Sequence, residues 1–442
     1  MEGFNQREAG KRNGKPIKTC REDTPLLGNN STPLSCQSKT FANLFIAIVG
    51  AGVLGLPYTF KKAGWFTSTV TIFSIAGLVY HGMMLLVHTR RRLQERLPPP
   101  GSTNERTDHV FSFGDLGFAA CGNIGRASVD TVIVISQSAF CIGYLIFIGN
   151  TLAHLFYSTA SLSVVATDLF VSRKIFGIRP KTVYIWACFP FQLGLNSIPT
   201  LTHLAPLSIF ADIVQFGSMG MVLVQDAVII NHEAHSVKAF GSVSTFFYGM
   251  GVAIYTFEGI GMVLPLEDEM KDKPKFPKLL CVSMFSIAFV YAAFGLLSYL
   301  AFGENTQDII TSNMGKGLLS TLVQLGLCIN LFFTFPLMMN PVYEVFESRF
   351  FNGGYCMWMR WLVVLVISLV ALYVPYFTDF LSLVGSSACC VLGLVFPALF
   401  HYIVFKDEMS QRGAIMDLAV IAVGIIFGIS GTWYSLKEIF AV

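Results

Sequence analysis

Apolar runs of about twenty residues recur along this chain, and nothing constrains its fold more. A helix that crosses the hydrocarbon core of a bilayer needs roughly 20 mainly apolar residues. Eleven stretches reach that length: 40–60, 64–89, 128–157, 181–199, 204–230, 242–266, 277–302, 315–343, 360–378, 380–403 and 413–436. Only 13% of the 442 residues are charged and 53% are hydrophobic, whereas soluble domains carry about 25% charge. The fold expected is therefore all-α and integral to a membrane, with eleven transmembrane helices. The narrowest boundary lies at Pro375–Asp379, between the ninth and tenth spans. Fusing those two would leave ten spans and move the C-terminus to the other side.

Charge orients the spans. With the N-terminus in the cytosol, most of the 30 Lys and Arg residues fall in cytosolic segments, Arg90–Arg92 and Lys271–Lys278 among them. The main exceptions cluster near Arg173–Lys181. This is the bias of the positive-inside rule, and it puts the C-terminus in the lumen. None of the ten cysteines falls in a far-side loop, so no disulfide framework is expected. Residues 1–39 are polar, lack the apolar core of a signal peptide, and read as a disordered cytosolic tail. Within that tail "EDTPLL" fits an acidic dileucine signal through Glu22, Leu26 and Leu27, an address read by clathrin-adaptor-type sorting proteins. Its sequons at Asn29 and Asn30 would lie in the cytosol, so no glycan is expected there.

Two spans carry their own breakers. "FIAIVGAGVLGLPYTF" (45–60) places Gly50, Gly52, Gly55 and Pro57 inside the first. Unpaired backbone groups in hydrocarbon cost several kcal/mol each, so a break survives only against protein, water or a ligand. On this span alone, a close helix crossing through small residues is an equal alternative. The sixth span, "FYGMGVAIYTFEGIGMVLPLEDEM" (247–270), repeats the pattern with Gly249, Gly251, Gly259, Gly261 and Pro265, and adds Glu258 near its middle. Paired interruptions five spans apart require an inverted repeat, because five is odd. They are the best sequence pointer to a transporter binding site. The half-helix after the first break is expected to start near Val53 and to aim its positive end at the gap. Freed N–H groups suit a carboxylate and freed carbonyls an ammonium.

Specific segments resemble the amino acid/auxin permease family. "GAGVLGLPYTFKKAGW" (50–65) is similar to its span one and "YTFEGIGMVLPLEDEMK" (255–271) to its span six. "YLAFGENTQDIIT" (299–311) and "FTFPLMMNPVYEVFE" (333–347) resemble spans seven and eight. "FGDLGFAACG" (113–122), "FPFQLGLNSIPTLTHLAPLSIFADIV" (189–214) and "FLSLVGSSACCVLGLVFPALFH" (380–401) look most like the plant vacuolar transporters of the third class. The resemblance spans roughly residues 21–440. It implies a LeuT-like fold of two inverted five-span repeats (40–230 and 242–403) plus an extra helix (413–436). It also implies amino acid substrates and export from the vacuole. The family's substrate-binding residues fall on Gly50, Ala51, Gly52 and Val53, and on Tyr255, Thr256, Phe257 and Glu258. Some proton-coupled relatives carry a histidine where this chain has Asn43, which argues against histidine-based coupling at that position.

Ionisable groups inside a membrane are expensive and usually functional. The coupling candidates are Glu258, Asp212, His81 and Thr334, the last because sodium-coupled folds place hydroxyls in span eight. The competing readings are a break stabiliser for the acids, a packing imidazole for His81 and a hydroxyl bonded to its own helix for Thr334. Asp130 and Asp226 sit nearer span ends and read as solvated anchors; Ser136, Ser138 and Tyr144 are polar options in span three. No protease, hydrolase or P-loop motif is present, nor any zinc spacing or basic nucleic-acid patch, and no metal or cofactor is expected. The sequence thus reads as a secondary transporter of small neutral amino acids at the vacuolar membrane, with protons as the candidate coupling ion. An amino acid sensor signalling through the tail is the alternative, and a channel fits a single chain with paired breaks less well.

Overall fold

The computed structural model describes residues 36–96, 112–159, 179–198, 205–232, 235–314 and 317–440. The dileucine residues Glu22, Leu26 and Leu27 and both sequons lie outside them. Every long element is a helix. Fourteen α-helical segments follow in order: α1 (Gln37–Ile48), α2 (Leu56–Ala63), α3 (Trp65–Arg96), α4 (Phe113–Thr159), α5 (Pro180–Asn196), α6 (Ala205–His232), α7 (Val243–Thr256), α8 (Ile260–Glu269), α9 (Phe276–Phe302), α10 (Leu318–Phe350), α11 (Met357–Tyr373), α12 (Phe377–Val384), α13 (Phe396–Phe405) and α14 (Gln411–Phe440). Of the eleven expected spans, nine meet the length and apolarity of a membrane crossing among the described residues, counting α1 with α2 as one bent span. The other two, α5 and α11, have 17 helical residues each.

Proline sets several helix starts. Pro57, Pro180 and Pro277 occupy the first two positions of α2, α5 and α9, where a missing N–H costs little. Pro336 and Pro341 instead lie inside α10. Pro336 cannot bond the Phe332 carbonyl, and the Gln192 amide of α5 donates to that carbonyl at 3.0 Å. A buried partner thus restores what the proline removed, as membrane helices require.

Helices α1, α2, α3, α7, α8 and α9 pack on one another, and α4, α5, α10 and α11 form a second group, with α6 between α9 and α10. Helices α5 and α11 lie against each other and are laced at both ends. Lys181 donates to the Val374 carbonyl at one end, and the Trp361 indole reaches Ser197 Oγ at 2.8 Å at the other. The expected separation near Pro375 is present: three non-helical residues divide α11 from α12. The Asp308 carboxylate caps α12 from a distant loop, accepting from the N–H groups of Phe377 (2.7 Å) and Thr378 (2.9 Å).

Two features differ from expectation. Helix α4 begins at Phe113 and turns sharply at Gly122, whose φ of 66° favours glycine. Between α12 and α13 the chain winds in wide π-helical turns over Gly385–Cys389 and Val391–Val395. There Gly385 crosses α7 so closely that a Cβ would lie 1.8 Å from the Gly251 carbonyl oxygen. All nine described cysteines are free.

Candidate functional site

Both interrupted spans are broken. Helix α1 stops at Ile48, Gly50 is extended (φ −117°, ψ −166°), and a 3₁₀ turn over Ala51–Gly55 leads into α2; the two halves bend by 50°. The α-helix therefore resumes at Leu56, three residues beyond the expected start at Val53. Short 3₁₀ turns are a common way for a helix terminus to begin. Among the described residues, no backbone acceptor pairs with the N–H groups of Gly50, Ala51 or Gly52. In the sixth span, α7 runs to Thr256 and α8 restarts at Ile260. Tyr255 and Thr256 are thus the last turn of a helix, and the gap proper is Phe257–Gly259. Pro265 sits inside α8 and does not break it.

The structure brings the two breaks together. A Cβ on Gly52 would meet the Tyr255 ring at 3.0 Å and Thr256 Oγ1 at 3.2 Å, and a Cβ on Gly259 would meet Ile48 Cγ1 at 2.8 Å. Each break therefore fits a glycine against the helix end of the other. Tyr255 also reaches across to α4, where its ring meets Phe140 edge-on at 4.8 Å. Its hydroxyl lies 3.5 Å from where a Cβ on Gly143 would stand. Phe140 and Gly143 are i, i+3 on one face of α4, so they form the far wall.

The gap opens on the α1 side and is shut beyond α2. Gly50 is exposed, no atom lies within 4 Å of where its Cβ would stand, and Glu258 is half-buried. On the other side Lys62 pairs with Asp379 (3.2 Å) and Glu438 (3.0 Å) and lies over the Tyr248 ring, whose hydroxyl donates to Asp379 at 2.8 Å. Lys61 donates to the Thr306 carbonyl at 3.1 Å. Burial raises the Asp308 carboxyl in the adjoining loop above its ordinary value, and its bonds from Thr378 and Phe377 oppose that.

The coupling candidates separate. Glu258 stands in the second break, with no side-chain hydrogen bond or ion pair among the described residues. His81 is on α3, where its titratable neighbours are Asp417 of α14 and His401 of α13, themselves paired at 2.7 Å; it is not at the gap. Thr334 lies within hydrogen-bond reach of the Asn330 carbonyl (2.9 Å) and side-chain oxygen (3.0 Å) on its own helix. Asp212 is on α6, also without a side-chain hydrogen bond among the described residues. Asp226 departs from its reading as a solvated anchor: it is 1% exposed and accepts from Ser298 Oγ at 2.5 Å. Ser136 donates to the Ile133 carbonyl of its own helix. Sequence reasoning missed Phe140, Gly143 and Tyr291. The signals were a small residue mid-span in "FCIGYL" and a lone hydroxyl in "FVYAAF".

The chain is similar to known proteins along most of its length. Residues 36–437 match the family described as transmembrane amino acid transporter protein. The amino acid transporter AVT3B of Arabidopsis thaliana is 61% identical over 420 residues, covering 95% of this chain and 97% of its own. AVT3C of the same plant is 59% identical, covering 96% and 95%. Among solved structures, the inward-facing conformation of Mhp1 superposes with a TM-score of 0.59 at 12% identity, over 94% of this chain and 93% of that one. That likeness shows the fold, a LeuT-type arrangement. The chain belongs to the transmembrane amino acid transporter family.

Proposed function

We propose that the chain is a secondary transporter that moves small neutral amino acids from the vacuole to the cytosol, coupled to protons. The observation that carries this reading is the pair of facing helix breaks, open to one side only. In the cradle between them, the unpaired N–H groups of Gly50, Ala51 and Gly52 suit a carboxylate. The carbonyl ends of α1 and α7 suit an ammonium. Phe140, Tyr255 and Gly143 leave an apolar wall for a small side chain.

A relative 25% identical from Schizosaccharomyces pombe is named vacuolar amino acid transporter 3, which supports the vacuolar membrane. With the N-terminus cytosolic, the open α1 side faces the cytosol and the Lys62–Asp379–Glu438 cluster closes the lumenal side. Alternating access would then break that cluster and close around α1.

Glu258 is the proposed proton carrier. A lone carboxylate at mid-membrane is costly, so taking up a proton in the acidic lumen cancels its charge during the crossing. Purified protein in liposomes with a clamped pH gradient tests both parts. The expected result is flux of small neutral amino acids that falls when the gradient collapses, and a Glu258→Gln variant that exchanges substrate but no longer responds to the gradient. No amino acid flux in either direction would end the transport reading for these substrates; a wild-type gradient response in Glu258→Gln would remove Glu258 as carrier.

A further inference from the structure

Helix α9 contributes one side chain to both breaks. The hydroxyl of Tyr291 lies 3.1 Å from the Ile48 carbonyl and 3.1 Å from the Thr256 carbonyl. Ile48 is the last residue of α1 and Thr256 the last of α7. Tyr291 is fully buried, and its ring packs against Phe257 at 5.1 Å between centroids. Among the described residues, no other side chain hydrogen-bonds to the backbone at both breaks.

The electrostatics of this arrangement are unusual. The C-terminal end of a helix carries about half a negative charge on its unpaired carbonyls. Here two such ends converge on one point, and they repel each other unless a donor stands between them. A phenol supplies a single proton, so the hydroxyl serves two acceptors with one hydrogen. Each carbonyl keeps a lone pair for a second donor. The ammonium of a bound amino acid is the donor of matching charge.

We infer that Tyr291 is a positioning residue for the substrate. Its shared hydroxyl holds the ends of α1 and α7 at the separation that a substrate ammonium bridges, so that two breaks act as one site. This rests on the transport reading above. Tyr291 need not touch the substrate; it fixes the carbonyls that do. Without the hydroxyl the two negative ends move apart in the empty transporter, and the substrate must draw them together as it binds. The cost then appears in affinity and not in the turnover of the loaded carrier.

The test is Tyr291→Phe, which keeps the ring against Phe257 and deletes the donor. In the liposome assay, KM is expected to rise about tenfold, the equivalent of about 1.4 kcal/mol and of the order of one buried hydrogen bond. The maximal rate is expected to stay within about twofold of wild type. An unchanged KM overturns the inference, whether or not the rate falls, since a merely structural role lowers the amount or rate of active protein without moving KM. If Tyr291→Phe accumulates too little for flux, the rise in unfolding temperature that an amino acid substrate causes in the detergent-solubilised chain reads the same affinity. An unaltered dependence on substrate concentration there also overturns it. Absence of flux in the wild type would instead refute the transport reading, so the two failures are distinguishable.

Discussion

Gly52→Val is expected to abolish amino acid flux and to leave delivery of the chain to its membrane intact. The reason lies in the contact between breaks. A Cβ at Gly52 already meets two carbons of the Tyr255 ring at 3.0 and 3.1 Å and Thr256 Oγ1 at 3.2 Å. The ring has little room to yield, because Phe140 packs edge-on against it. Valine adds two more methyl groups to the same space. Overpacking of this kind costs typically about 1–3 kcal/mol, small enough for the bundle to fold. The strain falls on the last turn of α7 and on the N–H groups proposed to hold the carboxylate. Flux in liposomes is read beside the amount of chain recovered from the target membrane. Normal kinetics in Gly52→Val would refute the assignment of the break as the site.

Arg90→Ala is expected to destabilise the fold by about 3–5 kcal/mol, the cost of removing one partner from a buried ion pair. Arg90 and Glu267 are both 1% exposed at their side chains and hydrogen-bond directly. The same guanidinium also donates to Asp268 at 2.5 Å and to the Leu264 carbonyl at 3.0 Å. Arg91 adds a 2.7 Å bond to Glu267. Together these ties weld α8, the second half of the broken sixth span, to α3. Alanine leaves Glu267 buried with only the more exposed Arg91. Thermal denaturation in detergent should show a large drop in midpoint, together with lower yield. The double variant Arg90→Glu/Glu267→Arg should recover part of it, while a wild-type midpoint in Arg90→Ala would show that α8 is held by other contacts.

The breaks were legible in the sequence because glycine and proline announce themselves against an apolar background. Their extent was not. The 3₁₀ turn at Ala51–Gly55 and the helical status of Tyr255 and Thr256 depend on what packs against them, and a single sequence carries no such pairing. Tyr291 shows the limit more sharply. Its partners are backbone carbonyls, which every residue possesses, so no residue type at positions 48 or 256 marks the contact. Asp226 misled for a related reason. Position along a span does not reveal which face of the helix is covered, and Asp226 of α6 is met by Ser298 of α9, a helix 72 residues further along the chain. The broken first and sixth spans, by contrast, follow from the spacing of their breakers alone.

The short pair α5 and α11 has a consequence for the lipid around the protein. Seventeen helical residues rise about 25 Å, less than the roughly 30 Å of an average hydrocarbon core. Their ends are tied to each other by Lys181 and Trp361, so neither helix adjusts its length alone. Both turn large apolar side chains outward, among them Phe191, Leu362 and Val366. The bilayer is therefore expected to draw inward along this edge, at a modest cost for each ångström of mismatch. Only the edge formed by α5 and α11 asks for this thinning; the 33-residue α10 of the same group and the 32-residue α3 of the first do not. Thickness of the host membrane becomes a force acting on this one edge of the transporter, so acyl-chain length is a variable that any reconstitution of this protein has to set deliberately.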